Sequence, residues 1–255
     1  FRRRDQPMTT EPAMKAVAAS QSAIDRPQDV YREVFGDDAS WMDAFERRRA
    51  HLEEGTLSPK MRALIFVVGF LVNRYPEAAR TYQAEAKRVG ASDGDFRLLM
   101  KIMDFYRGLR GFQDAQRLVS FWKTGLFPEI KPPGDGKTDE IFAEIIATRK
   151  YIANGFRVYG ADGEWLRLYL QRSNAIKQSP TTLDEREIQI LSLAVTLKNH
   201  GYSDNFNDGC IEVHELKAKA LGAGNEETLE IVQIMELCDS MTTAWEGRTM
   251  LELAV

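Results

Sequence analysis

The sequence predicts an all-α protein made of two tandem helical repeats packed as one pseudo-symmetric unit. Three observations carry that expectation. Short motifs return at a nearly constant offset, apolar residues recur with the helical period, and no stretch alternates convincingly between apolar and polar. Val34-Phe35-Gly36 with Trp41 returns as Val158-Tyr159-Gly160 with Trp165, an offset of 124. Thr56-Leu57 returns as Thr182-Leu183, an offset of 126, and Gly90-Ala91 as Gly222-Ala223, an offset of 132. Ile102-Met103-Asp104 returns as Ile234-Met235-Glu236 at the same 132. The growing offset places an insertion in the second copy, around 199–209.

Taken in order, residues 1–27 are rich in Ala, Ser and Thr and are expected to be a flexible N-terminal segment. Within it, Met8-Thr-Thr-Glu reads as a natural start, which sets Phe1–Pro7 apart from the rest. The first repeat spans 28–124, and residues 125–157 form a linker and a connecting helix. Pro128, Pro132, Pro133, Gly134 and Gly136 mark the linker, and Asp139–Phe156 the helix. The second repeat spans 158–255. Its stretch Asp184–Leu197 places Ile188, Ile190, Leu191, Ala194, Val195 and Leu197 on one helical face, with Gln189, Ser192 and Thr196 opposite. Gly90 and Gly222 each end a helix, as left-handed C-terminal caps do.

Composition narrows the function. The 255 residues are 44% hydrophobic and 28% charged, which is ordinary for a globular protein. A net charge of -4 argues against nucleic acid as the main partner, since phosphate binding wants a basic face. The longest apolar run, Ala63–Val72, is about half of a membrane span. Cys210 and Cys238 are too few and too far apart for a disulfide framework or a metal-type pair, so the expected location is the reducing cytoplasm. With three histidines in the chain, no metal site and no cofactor are expected.

The candidate chemistry lies in the second copy. Cys210 and His214 are four residues apart on a predicted helix and share one stripe. An imidazole there can support a thiolate or act as an acid or base; the plainer alternative is a small apolar Cys beside an ordinarily hydrogen-bonded His. Glu187 falls within the apolar face, where the first copy has Met61, and a carboxylate in a core position must be neutral, partnered or functional. The competing reading makes Glu187, with Asp184 and Glu185, part of an acidic helix N-terminus. The insertion supplies His200, Tyr202 and Asn207 as candidate substrate-binding groups. His51 sits in a charged run and is expected to face solvent. Cys238, at the position matched to Tyr106, is expected in the core, and the cluster of Phe105, Tyr106, Phe112, Phe121 and Trp122 is expected to be packing.

The run Leu183-Asp-Glu-Arg-Glu187-Ile-Gln-Ile-Leu-Ser-Leu-Ala-Val195, then Cys210-x-x-x-His214, then Lys219-Ala-Leu-Gly222-Ala223, resembles the carboxymuconolactone decarboxylase family, which includes the alkylhydroperoxidase D-like proteins. The likeness covers most of both copies and is closer in the second. It implies an all-helical unit that assembles as a homo-oligomer, a trimer ahead of a dimer. It also implies Glu187, Cys210 and His214 as catalytic residues. Two departures stand out. Asn207 occupies the place of the first cysteine of the peroxidase branch, so no C-x-x-C disulfide forms there. The decarboxylase branch usually carries a glutamate at the Cys210 position.

The expected function is therefore that of a cofactor-independent decarboxylase, or a related carbon–carbon lyase or isomerase. It would act on a small carboxylated or oxygenated substrate by Glu187 and His214 acid–base chemistry. One alternative is a single-cysteine thiol peroxidase using Cys210. A second is a non-catalytic oligomeric ligand-binding protein.

Overall fold

Helix α3 (Pro59–Val72) explains much of the architecture. Its sequence is apolar all round, so it can be stable only with protein on every side, and each residue from Ala63 to Phe70 is buried. The computed structural model describes residues 26–115, 136–149, 160, 162–200 and 208–252. Among them, the side chains of 109–115, 136–137, 148–149, 200, 208–210 and 249–252 lie outside the description. The expected flexible segment up to residue 25, most of the linker, and Phe121, Trp122, Tyr202 and Asn207 also fall outside it.

Every regular element among the described residues is a helix. Before α3 come α1 (Pro27–Phe35) and α2 (Ala39–Glu53); after it come α4 (Pro76–Arg88) and the long α5 (Asp93–Ala115). Then follow α6 (Gly136–Arg149), α7 (Gly163–Lys177), α8 (Glu185–His200), α9 (Asp208–Ala220) and the long α10 (Asn225–Glu252). Helix α6 begins at Gly136, inside the stretch read from sequence as linker. Helices α3 and α8 pack on each other at the centre, α4 lies against α3 and α9 against α8. The long helices are exchanged. Helix α5 packs on α8 and α7, while α10 packs on α1, α2, α3 and α8.

Helix starts at matched offsets use matched devices. The Asp38 carboxylate caps α2 by accepting from the Ser40 and Trp41 N–H groups, and Asp162 caps α7 by accepting from Trp165 N–H. Ser58 accepts from Met61 N–H at the start of α3; Asp184 accepts from Glu187 N–H at the start of α8. Ser92 N–H donates to Asp95 before α5, and Gly224 N–H donates to Glu227 before α10. Gly90 and Gly222 both close their helices with positive φ, +100° and +93°, which a side chain there would strain.

Polar pins hold the halves together. Asp95 is fully buried and accepts from the hydroxyls of Thr181 and Thr182 and from Thr182 N–H. Burial alone would push its carboxyl up, but these bonds, with the one from Ser92 N–H, outweigh it and hold the group well below the usual carboxylate range. Arg48 pairs with Glu236, and Arg172 with Asp104; the 124 and 132 offsets map one pair onto the other.

Cys238 is a core residue, as its sequence position suggested. It is fully buried against α3, where a Cβ added at Gly69 would come within 2.4 Å of its Sγ. Gly69→Ala must therefore push two central helices apart. A loss of about 1–3 kcal/mol is expected, read as a lower urea midpoint at unchanged slope.

Candidate functional site

The expected polar outer face of α8 does not exist as such. Helix α8 is covered by α3, α5, α9 and α10, so Ser192 and Thr196 are buried and Gln189 is partly buried. A hydroxyl can tolerate that by bonding back along its own helix, and Thr196 Oγ1 donates to the Ser192 and Leu193 carbonyls. Gln189 instead finds a partner across the α8–α9 contact. Its Oε1 lies 2.8 Å from Nδ1 of His214.

His214 sits in the middle of α9 and is buried. Its other ring nitrogen, Nε2, is hydrogen-bonded to the Tyr106 hydroxyl, which reaches it from α5. The two rings meet edge to face, with centroids 5.3 Å apart and planes at 89°. Burial lowers the pKa of His214 from 6.5 to about 3, with a smaller push from the Lys217 ammonium. The ring is neutral at physiological pH.

Hydrogen-bond roles then follow from the atoms. An amide oxygen can only accept, so Nδ1 carries the ring proton and donates to Gln189. In a neutral ring Nε2 then holds a lone pair, and the Tyr106 O–H donates to it. Gln189, His214 and Tyr106 form one directed chain linking three helices.

Glu187, the carboxylate expected in the core, is well shielded: its side chain is 16% exposed. It makes a capping box with Asp184, accepting from Asp184 N–H at 3.1 Å while its own N–H donates to the Asp184 carboxylate at 2.7 Å. Its Oε2 also pairs with the Lys60 ammonium of α3 at 3.3 Å. Glu187 is thus a partnered, half-buried residue of the helix start and not a core side chain. It lies half a turn before Gln189 on α8. The residue on α8 that the structure brings to the His214 ring is Gln189. Cys210 lies on α9 four residues before His214, and His200 at the end of α8, but their side chains are outside the description. Tyr202 and Asn207 lie wholly outside it.

Sequence reading missed two members of this cluster. Tyr106 was assigned to packing and Gln189 to an outer face. A signal was present for Tyr106, which stands at the position matched to Cys238; Gln189 shares a polar stripe with Ser192 and Thr196, and nothing local sets it apart.

The positions matched to His214 and Tyr106 are Tyr82 and Cys238. Tyr82 is held by Gln28, whose Nε2 donates to its hydroxyl at 2.8 Å, and it stacks on Phe66 at 4.2 Å. Burial raises the pKa of both the phenol and the thiol, with Cys238 adding to the rise at Tyr82. That counterpart holds two neutral weak acids and no base.

Elsewhere, a groove between α2 and α10 of about 700 Å³ is lined by Arg47, Arg48, His51, Gln233 and Glu236 among others, and His51 is exposed there as expected. Among the described residues, no helix is long and apolar enough to cross a membrane.

No protein-family profile matches the chain, and no curated protein matches it. Among solved structures it is similar to the "putative gamma-carboxymuconolactone decarboxylase subunit" of Burkholderia xenovorans LB400. The TM-score is 0.64 at 16% sequence identity, over 98% of this chain and 100% of that one. At that identity the likeness speaks to architecture, and it runs end to end with the helices described above. The chain has the all-α fold of the carboxymuconolactone decarboxylase type.

Proposed function

We propose that the chain is a cofactor-independent enzyme of the decarboxylase kind, or a related carbon–carbon lyase or isomerase, with a small carboxylated or oxygenated substrate. In a decarboxylation the bond to the carboxylate breaks, carbon dioxide leaves, and the electron pair stays on the substrate as an enolate. A proton must then be delivered to carbon. His214, neutral at rest, is assigned to relay that proton from solvent, taking one up at one nitrogen as it gives one up at the other, and Glu187, paired with Lys60, is the second acid–base group. Cys210 is assigned to the wall of the site, and His200, Tyr202 and Asn207 to substrate contacts.

One observation carries the reading: a neutral imidazole, deep in the protein, gripped at both nitrogens. A buried neutral imidazole is suited to passing or polarising a proton at physiological pH, and poorly suited to serving as a fixed positive charge. That weighs against a thiol peroxidase in which His214 holds Cys210 as thiolate, since a neutral ring supplies no positive charge.

The test is a panel of small organic acids assayed for carbon dioxide release. Positioned proton transfer contributes roughly 10²- to 10⁴-fold, so His214→Gln is expected to lose on that order while Cys210→Ser keeps an appreciable part. A dead Cys210→Ser protein, with peroxide consumed by the parent, would turn the assignment to redox chemistry.

A homo-oligomer belongs to the same proposal, with a trimer ahead of a dimer. Trp41 and Trp165, at matched positions on α2 and α7, are 52% and 55% exposed, and Leu229 and Val232 stand exposed one turn apart on α10. Sedimentation equilibrium tests it; a monomer at micromolar concentration would refute it.

A further inference from the structure

We infer that Tyr106 is a positioning residue for the His214 site, so that the site is composite and the first half of the chain is a working part of it. The inference rests on the assignment of proton handling to His214. Its grounds are geometric. The Tyr106 hydroxyl is bonded to Nε2 while the Gln189 oxygen takes Nδ1 at 2.8 Å, and the phenol meets the imidazole edge to face. A neutral imidazole has two tautomers of similar intrinsic energy, and its environment selects between them. Here the Gln189 amide turns its oxygen to Nδ1 and the Tyr106 hydroxyl can donate to Nε2, so the pair selects the Nδ1–H form and fixes the ring plane. Without the phenol, Nε2 would be a buried acceptor with its donor removed, and the ring would be free to change tautomer or rotate.

The comparison within the chain points the same way. At the matched place the pair is Tyr82 and Cys238, and there the position corresponding to Tyr106 carries a thiol, a weak donor. The phenol therefore stands in the half that keeps the histidine's partner, and the histidine in the other half. Sequence positions 108 apart meet because α5 of the first half lies on α8 of the second.

The experiment is nitrogen-15 NMR of the full chain labelled at histidine. With three histidines, assignment needs one variant, His214→Gln, to remove its signals. The expected parent spectrum shows His214 as the Nδ1–H tautomer, with Nε2 shifted by an accepted hydrogen bond. Tyr106→Phe is expected to move Nε2 toward the free-acceptor shift and to populate the second tautomer. In turnover it is expected to lower kcat by 10- to 100-fold while KM moves less than threefold. 3-Fluorotyrosine at position 106 keeps shape and hydroxyl but donates more strongly. It should restore the tautomer and shift Nε2 further, which keeps the test decisive if Tyr106→Phe folds poorly. An Nε2–H ring in the parent, or a spectrum indifferent to Tyr106→Phe, would overturn the inference. Full turnover in His214→Gln would instead sink the functional assignment while leaving the ring result readable. Loss in His214→Gln with full turnover in Tyr106→Phe would sink the inference alone.

Discussion

Replacing Arg62 by leucine is expected to cost about 3–5 kcal/mol of stability, because it strips the partner from a carboxylate that has no route to water. Glu230 on α10 is 3% exposed. Its oxygens accept from Arg62 Nε and from Leu57 N–H, each at 2.8 Å, and from the Thr56 hydroxyl at 3.3 Å. The rest of the guanidinium donates to the Leu57 and Gly55 carbonyls, so one ion pair ties the α2–α3 connection to the last helix. The positions matched to Arg62 and Glu230 are Ile188 and Leu98, and Leu98 is fully buried. The fold thus accepts an apolar solution at the equivalent place. Arg62→Leu combined with Glu230→Leu should accordingly recover at least half of that loss. Urea unfolding of the two single variants and the double measures the coupling. A double variant no better than Arg62→Leu would show that the pair is not the source of the effect.

His214→Gln is expected to change how stability depends on acid as well as turnover. The folded pKa of about 3 lies below the ordinary 6.5, so the unfolded chain binds more protons between those values. The stabilisation is complete above pH 6.5 and is lost as the pH falls toward 3. At about 1.4 kcal/mol per pKa unit, the whole window is worth on the order of 5 kcal/mol. Glutamine can keep a hydrogen bond but cannot take up that proton. The stability difference between parent and variant should therefore shrink steadily below pH 6.5 and be flat above it. Urea midpoints at half-unit steps from pH 4 to 8 check this. A difference independent of pH would mean the ring protonates as easily folded as unfolded.

Local features of this chain were legible in its sequence because their causes are local. Gly90 and Gly222 end helices since only glycine enters positive φ without strain, and the apolar stretch Ala63–Phe70 could only be interior. The direction of Glu187 was also readable from the helical period. Its partner was not, since Lys60 lies 127 residues earlier and nothing near Glu187 announces it. The same limit hid Gln189 and Tyr106. A helical wheel assumes a helix with an inside and an outside, and α8 is enclosed by four neighbours, so its polar side chains face other helices. Which residue they meet depends on how α5 and α9 cross it, and that is decided by packing across the whole chain.

The crossing of α5 onto α8, and of α10 onto α3, has a further consequence for how this protein could have changed over time. Each half closes the interior of the other, so neither could be lost or drift freely without baring the other's core, whatever task its remaining surfaces took on. Produced separately, the two pieces should aggregate, and should regain structure when mixed.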